Sequence, residues 1–294
     1  MQSPGRISEW IFTEKENGKF QPRCTMVSSN FLQQESSECR NERQKYETLL
    51  ITHQDNITTI AMNRPKKKNA ISSKMFEELY LALDDASADD SVLTVLTGFG
   101  DYFSSGNDLS NSTKNPKDNT ILSLRSFVGK FIDFPKPLIA VVNGPAIGIG
   151  MTILGLMDLV YASDRATFRT PFTKLGLCPE ACSSYTFPKI MGFAKAAEVL
   201  LFNKILTAQE ACNLGLVTEV FPDQTFKQEV WKRLKEYAKL PKNSLATSKQ
   251  LMRGAEKEKL HAICDEESRC ILERRDSEEA KNAVIQFFKN KAKL

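Results

Sequence analysis

Apolar residues recur along this chain at two periods, near two and then near three and a half, and the switches between them mark the elements. Residues 48–52 and 57–62 alternate apolar and polar around Asp55-Asn56, which predicts two strands joined by a tight hairpin. Ser72-Ser73 then offers a helix cap, and Met75, Leu79, Leu81 and Leu83 predict a helix to about residue 88. The continuous apolar run 92–96 reads as a buried strand, so the first unit is strand–strand–helix–strand. A helix over 121–132 leads through Pro135-Lys136-Pro137 to a second buried strand at 138–142. Residues 147–157 are nearly all apolar and predict a short buried helix, with strands expected near 159–162 and 166–170.

Beyond residue 180 the pattern is helical throughout: 185–191, 194–201, 208–214, 224–239, 244–253, 256–274 and 277–289. Strands alternating with helices, followed by helices alone, predict an α/β core with a C-terminal helical region. Residues 1–46 are polar with few periodic apolar positions and are expected to form a flexible arm. The expected division is therefore an arm at 1–46, a core at 47–240 and a helical region at 241–294.

Composition narrows the class. With 294 residues and 41% hydrophobic content the chain can bury a sizeable core. Forty basic against 36 acidic residues leave only +4, too little to argue for nucleic acid. No apolar run is long enough to predict a membrane span. The seven cysteines, Cys24, Cys39, Cys178, Cys182, Cys212, Cys264 and Cys270, form no paired C-x-x-C framework and read as free thiols. His53 and His261 lie far from Cys178 and Cys182, so no metal is expected.

The candidate chemistry sits in two glycine-bearing loops and one carboxylate. Phe103-Ser104-Ser105-Gly106-Asn107-Asp108-Leu109 follows the first buried strand, and Asn143-Gly144-Pro145-Ala146-Ile147-Gly148-Ile149-Gly150 follows the second. Each can present bare backbone N–H groups at a strand end. Two such groups aimed at one point form an oxyanion hole, and Glu180 in Leu177-Cys178-Pro179-Glu180 can supply a base. That combination suits enolate chemistry on a thioester. Taken alone, Glu180 reads as readily as a helix cap near Ser184 or a solvent-facing carboxylate, and the glycines as packing positions. Ser104 and Ser105 lack the G-x-S-x-G context of a nucleophile. Lys66-Lys67-Lys68 is either a solvated charge run or a cradle for phosphates, and Asp108 is expected to order its loop.

At these loops the sequence resembles the crotonase, or enoyl-CoA hydratase/isomerase, family from about Tyr46 to Leu294. The resemblance rests on Asn63-Arg64-Pro65 with Asn69-Ala70, on Phe103-Ser104-Ser105-Gly106-Asn107-Asp108 and on Lys136-Pro137-Leu138-Ile139-Ala140. Asn143-Gly144-Pro145-Ala146 and Leu206-Thr207-Ala208 complete it. Thr170-Pro171-Phe172, Pro179-Glu180 and Ser183-Ser184-Tyr185-Thr186-Phe187-Pro188 are similar to the peroxisomal Δ3,Δ2-enoyl-CoA isomerase branch, in a form lacking an acyl-CoA-binding domain.

The resemblance implies an α/β, crotonase-like spiral of strand–strand–helix units with a C-terminal helical trimerisation region, giving a homotrimer or a dimer of trimers. It implies a fatty enoyl-CoA substrate, no separate cofactor, and isomerisation of 3-enoyl-CoA to the 2-trans product in β-oxidation of unsaturated fatty acids. It places the catalytic base at Glu180 and the oxyanion N–H groups at Asn107 and Ile149. Substrate contacts fall at Ser104, Ser105, Gly106, Asn107, Asp108, Leu109, Lys68, Ala70, Gly148 and Phe172. The two glutamates that hydratases of this family use match Thr152 and Phe172 here, which disfavours hydration. The rival readings are a non-catalytic acyl-CoA-binding protein of the same fold, or another crotonase activity such as dienoyl-CoA isomerisation.

At the base the branch commonly reads Gly-Gln-Ser-Pro-Glu-Gly-Cys, whereas this chain has Leu177, Cys178 and Ala181 at the second, third and sixth positions. If the sixth position needs positive φ, alanine there costs roughly 1 kcal/mol or more. The terminal Ala292-Lys293-Leu294 differs from the Ser-Lys-Leu peroxisomal address by one small residue, so an import receptor and the peroxisomal matrix, rather than the mitochondrion, are expected.

Overall fold

A computed structural model describes residues 45–108 and 120–291. The expected arm, Leu109 and the terminal Ala292-Lys293-Leu294 lie outside the described residues. Strand β1 (Leu49–Gln54) pairs antiparallel with β2 (Ile57–Met62), Leu49 facing Met62. Asp55 and Asn56 close the hairpin with φ of 55° and 59°, the left-handed pair that a two-residue turn of this twist requires. Helix α1 (Ser73–Ala88) begins where the Ser72 hydroxyl accepts from the Met75 N–H at 3.2 Å. Its buried face is Met75, Glu78, Leu79, Ala82, Leu83 and Ala86. Leu81, expected on that face, is 50% exposed, because it is two residues from both Leu79 and Leu83 and turns to the opposite side.

Strands β3 (Leu93–Gly98), β4 (Leu138–Val142), β6 (Leu159–Ser163) and β9 (Glu219–Phe221) extend the sheet in the order β1-β2-β3-β4-β6-β9, every pair after the first being parallel. All five residues of β4 are buried, as a central parallel strand covered on both faces demands. Helix α2 (Thr120–Asp133) covers one side, where Phe127 stacks edge-on against Phe76 and Phe131. A second, three-stranded sheet of β5 (Ala146–Ile147), β7 (Thr167–Arg169) and β8 (Leu206–Thr207) holds the end of the second glycine loop.

The helix expected over 147–157 is shorter than its apolar pattern suggests. Helix α3 is only Ile149–Thr152, and Ile153–Leu156 tightens into a 3-10 turn. Within that turn Gly155 packs closely, and a side chain there would meet Thr186 Oγ1 at 2.6 Å. The rest of the chain is α4 (Ser183–Met191), α5 (Phe193–Leu200), α6 (Ala208–Asn213), α7 (Phe226–Tyr237), α8 (Lys242–Gly254), α9 (Lys257–Asp276) and α10 (Glu278–Lys291). Helix α6 carries a capping box, in which Thr207 and Glu210 satisfy each other's backbone N–H groups.

What positions the glycine loops is a short ladder between them. Ser104 N–H donates to Pro145 O at 3.2 Å and Ile147 N–H to Ser104 O at 2.9 Å. On its other side the first loop pairs with residues 68–71: Ser105 N–H donates to Lys68 O, Ile71 N–H to Gly106 O, and Asp108 N–H to Ile71 O, at 2.9, 2.9 and 3.0 Å. Gly106 makes this sandwich possible. Its φ is +81°, and a Cβ there would lie 2.7 Å from Ile147 O. Gly106→Ala is therefore expected to lower the free energy of unfolding in urea by on the order of 2–4 kcal/mol, from left-handed strain plus overpacking. A loss below about 0.5 kcal/mol, within the range of an ordinary surface substitution, would show that this close approach is not what holds the loops together.

Candidate active site

Asn107 is the residue through which the first loop reaches the carboxylate. The ladder bonds of Gly106 and Asp108 to Ile71 leave the Asn107 N–H facing away from that segment. Neither this group nor the Ile149 N–H donates to a backbone acceptor among the described residues. Ile149 opens α3 directly after Gly148, whose carbonyl accepts from Met151 and Thr152 at 2.9 and 3.0 Å while its own N–H donates to Arg169 O at 2.9 Å. First-turn N–H groups have no intrahelical partner, so Ile149 keeps a free donor. Because α3 has four residues, the donor itself matters more than any helix dipole. Gly106 and Gly148 touch, a Cβ on Gly148 meeting Gly106 Cα at 3.9 Å, so the two loops present these donors from adjoining backbone.

Glu180 lies in the turn between the Thr173–Leu175 3-10 segment and α4. Its side chain is 5% exposed, and Asn107 Nδ2 donates to both carboxylate oxygens at 3.4 and 3.5 Å. Burial pushes the Glu180 carboxyl up to about 7, with the Arg275 guanidinium opposing, the Glu267 carboxylate adding to the rise, and the Asn107 amide opposing. A carboxyl poised near neutrality both accepts and returns a proton readily. Its turn is backbone-strained: Ala181 and Cys182 have φ of 56° and 61°. The positive φ anticipated at position 181 is thus present, and alanine occupies it.

The other predicted positions divide by what holds them. Ser104 is fully buried, its hydroxyl donating to Asn69 O at 2.9 Å and accepting from Gly106 N–H at 3.1 Å, so it ties the loop internally. Asp108 orders its loop through an ion pair with Arg64 at 3.1 Å. Ala70 O accepts from the same guanidinium. Ser105 Oγ reaches Lys67 O at 3.5 Å. Lys68 is exposed, its Nζ 5.0 Å from the centre of the Tyr102 ring at the loop's edge. Thr152 and Phe172 are both buried, at 0% and 4% exposure, with no carboxylate to offer. Phe172 and Ala181 belong to the main apolar core, and the partly buried Leu177 packs against it. Glu180 does not cap α4 with its carboxylate.

That cap comes from a residue the sequence pattern did not single out. Glu267, on α9 and 7% exposed, accepts from Cys182 N–H at 2.6 Å and from Ser184 N–H at 2.8 Å. Its signal was present: it falls on the stripe Leu260, Cys264, Ser268, Ile271 that α9 buries. The acid-rich local sequence of α9 hid it. Among the described residues no cluster of His, Cys, Asp and Glu is arranged to hold a metal, and no helix is long and apolar enough to cross a membrane.

A family model described as Enoyl-CoA hydratase/isomerase matches residues 52–294. The chain is 61% identical over 257 residues to "Enoyl-CoA delta isomerase 2" of Homo sapiens, covering 85% of this chain and 65% of that protein. It is 56% identical over 251 residues to "Enoyl-CoA delta isomerase 3, peroxisomal" of Mus musculus, covering 83% and 79% respectively. A crystal structure of an enoyl-CoA hydratase/isomerase from Pseudoalteromonas atlantica superposes with a TM-score of 0.78 at 37% identity, covering 83% of this chain and 98% of that one. The chain thus spans a little under two thirds of the length of the human relative, and it belongs to the enoyl-CoA hydratase/isomerase family, with the crotonase fold.

The raised Glu180 carboxyl has a consequence for stability. Its folded value, about 7, lies above the ordinary 4.5, so the folded state binds the proton more tightly. The stabilisation is complete below the ordinary value and is lost as pH rises through the folded one, a change on the order of 3 kcal/mol. Urea unfolding of wild type and Glu180→Gln at about pH 4 and about pH 8 should show wild type losing that much relative to the variant. A relative change below about 1 kcal/mol would mean that the carboxyl titrates as an ordinary one.

Proposed function

We propose that this member of the enoyl-CoA hydratase/isomerase family moves the double bond of 3-enoyl-CoA thioesters to the 2-trans position. The observation that carries the reading is one buried carboxylate, Glu180, with a value near neutrality, touching the loop that offers the Asn107 N–H. Relatives at 61% and 56% identity named enoyl-CoA delta isomerases support it.

The chemistry needs a proton taken from C2 and one delivered to C4. Glu180 removes the C2 proton, and the electron pair moves onto the thioester oxygen, giving a dienolate. The N–H groups of Asn107 and Ile149 bind that oxygen, each donor contributing on the order of 2.7–4 kcal/mol in the transition state. The protonated Glu180 then gives the proton to C4, the C2–C3 double bond forms, and the thioester carbonyl is restored. No water is consumed, and Thr152 and Phe172 leave no second acid–base group for adding one. In this reading Asn107 serves twice, its backbone N–H at the oxyanion and its side chain on the base. Gly106 and Gly148 let the loops close around the thioester, Ser104 ties them together, and Ser105, Asp108, Ala70 and Lys68 form the rim toward CoA.

The same reading includes assembly and address. Leu251, Met252 and Ile285 of the C-terminal helices are 78%, 82% and 51% exposed, apolar surface that a homotrimer would cover. The relative named as peroxisomal and the Ala292-Lys293-Leu294 terminus support a peroxisomal location.

Purified protein should turn over 3-hexenoyl-CoA and a longer 3-enoyl-CoA, and Glu180→Gln should lose about 10²–10⁴-fold in kcat. Full turnover by the variant contradicts the assigned base. CoA binding without wild-type turnover would instead support a protein that binds acyl-CoA without catalysis. Deleting Lys293-Leu294 should move a tagged protein from peroxisomes to the cytosol, whereas unchanged location would contradict the address.

A further inference from the structure

The turn that carries Glu180 is not held by its own sequence. Ala181 and Cys182 both sit in the left-handed region, where each non-glycine residue costs roughly 1–2 kcal/mol and the turn would relax if nothing opposed it. Local bonds account for one end only: Ser183 donates to Glu180 O through its N–H at 3.2 Å and its hydroxyl at 2.7 Å. The other restraint arrives from 85 residues away in sequence. Glu267 of α9 grips the N–H groups of Cys182 and Ser184 at 2.6 and 2.8 Å, two short bonds to a buried carboxylate. These donors flank the start of α4, so the carboxylate also serves as the cap that Cys182, which makes no side-chain capping bond, does not provide. Cys182 Sγ adds a contact to Leu260 O at 3.3 Å, again on α9.

We propose that Glu267 is a positioning residue for the reaction: its carboxylate clamps the Glu180–Ser184 turn onto α9, fixing where Glu180 stands opposite Asn107. The inference rests on Glu180 being the base. The Glu267 carboxylate bonds the N–H of Cys182, the second of the two left-handed residues after the base, and so restrains the turn as well as the helix start; it also adds, after burial, to the rise in the proton affinity of Glu180.

Among the described residues the charged and titratable groups around Glu180 are few. From α9 come Glu267 and Arg275, of opposite sign; from the first loop comes only the Asn107 amide. From its own turn comes the Cys178 thiol, which burial pushes up to about 11 and so keeps neutral. Burial pushes the Glu267 carboxyl above the usual carboxylate range, opposed by the Ser184 and Cys182 N–H groups, and the Cys178, Cys182 and Cys264 thiols lie around it.

Two variants separate reach from charge. Glu267→Gln keeps the length and loses the charge, and one of its two backbone bonds must fail because an amide nitrogen cannot accept. It is expected to lower kcat by on the order of 10–100-fold with KM changed less than about twofold, and to move the acid limb of kcat/KM to lower pH. Glu267→Asp keeps the charge but is one methylene short. It should lower kcat comparably while the acid limb stays in place. Both are measured on 3-hexenoyl-CoA beside wild type and Glu180→Gln, with melting temperature recorded. Glu267→Gln with wild-type kcat and an unmoved acid limb overturns the proposal and leaves Glu267 a helix cap. If that variant does not fold, Glu267→Asp decides, and wild-type kcat there overturns the positioning role. Failure of the underlying reading is distinct: Glu180→Gln would then keep full turnover whatever the Glu267 variants do.

Discussion

The arrangement depends on keeping one ionisable carboxylate out of water without neutralising it. Removing a carboxylate from water costs several kcal/mol unless it is paired or protonated. Glu180 has neither a full ion pair nor a dense set of donors, only two long bonds from one amide and a more distant guanidinium. The shortfall emerges as a proton affinity raised from 4.5 to about 7, equivalent to about 3 kcal/mol. A more strongly bonded carboxylate would be a more stable anion and a weaker base. The limited partnering and the chemistry are thus the same fact.

Everything around this group supports that compromise. The sheet ends β3 and β4 deliver two loops to one place, and their backbones pair through Ser104, Pro145 and Ile147 so that neither moves alone. Asn107 then joins the loop to the Glu180 carboxylate, while Glu267 on α9 bonds the far side of the turn. Contacts distant in sequence therefore fix a geometry that local residues, with alanine and cysteine in left-handed backbone, would not keep.

Much of this was legible from periodicity. The Asp55-Asn56 hairpin, the buried strand β4 and most C-terminal helices follow from spacing, turn chemistry and apolar pattern, β4 to the residue and the others with ends shifted by at most two residues. The two-residue strands β5 and β8 were not legible, since two residues have no period and form only because other strands stand beside them. Leu81 lies off the buried stripe because a position two residues from both Leu79 and Leu83 turns to the opposite side of the helix. Helix α3 is shorter than its apolar pattern because an apolar run reports burial and not whether the turns are α or 3-10. The loops and Glu180 stood out as motifs. Glu267 did not, because an acidic residue in a charge-rich helix is revealed only by its neighbours on the buried face.

The central claim is that a single carboxylate takes the proton from C2 and returns it to C4 inside a site shielded from solvent. The most direct measurement follows the label: turnover of 3-hexenoyl-CoA dideuterated at C2 in ordinary water, with the product analysed by mass and position. A substantial fraction of the product should carry deuterium at C4, because the buried Glu180 carboxyl returns what it removed faster than it exchanges. Product whose new C4 hydrogen comes wholly from solvent, at every early time point, would contradict it.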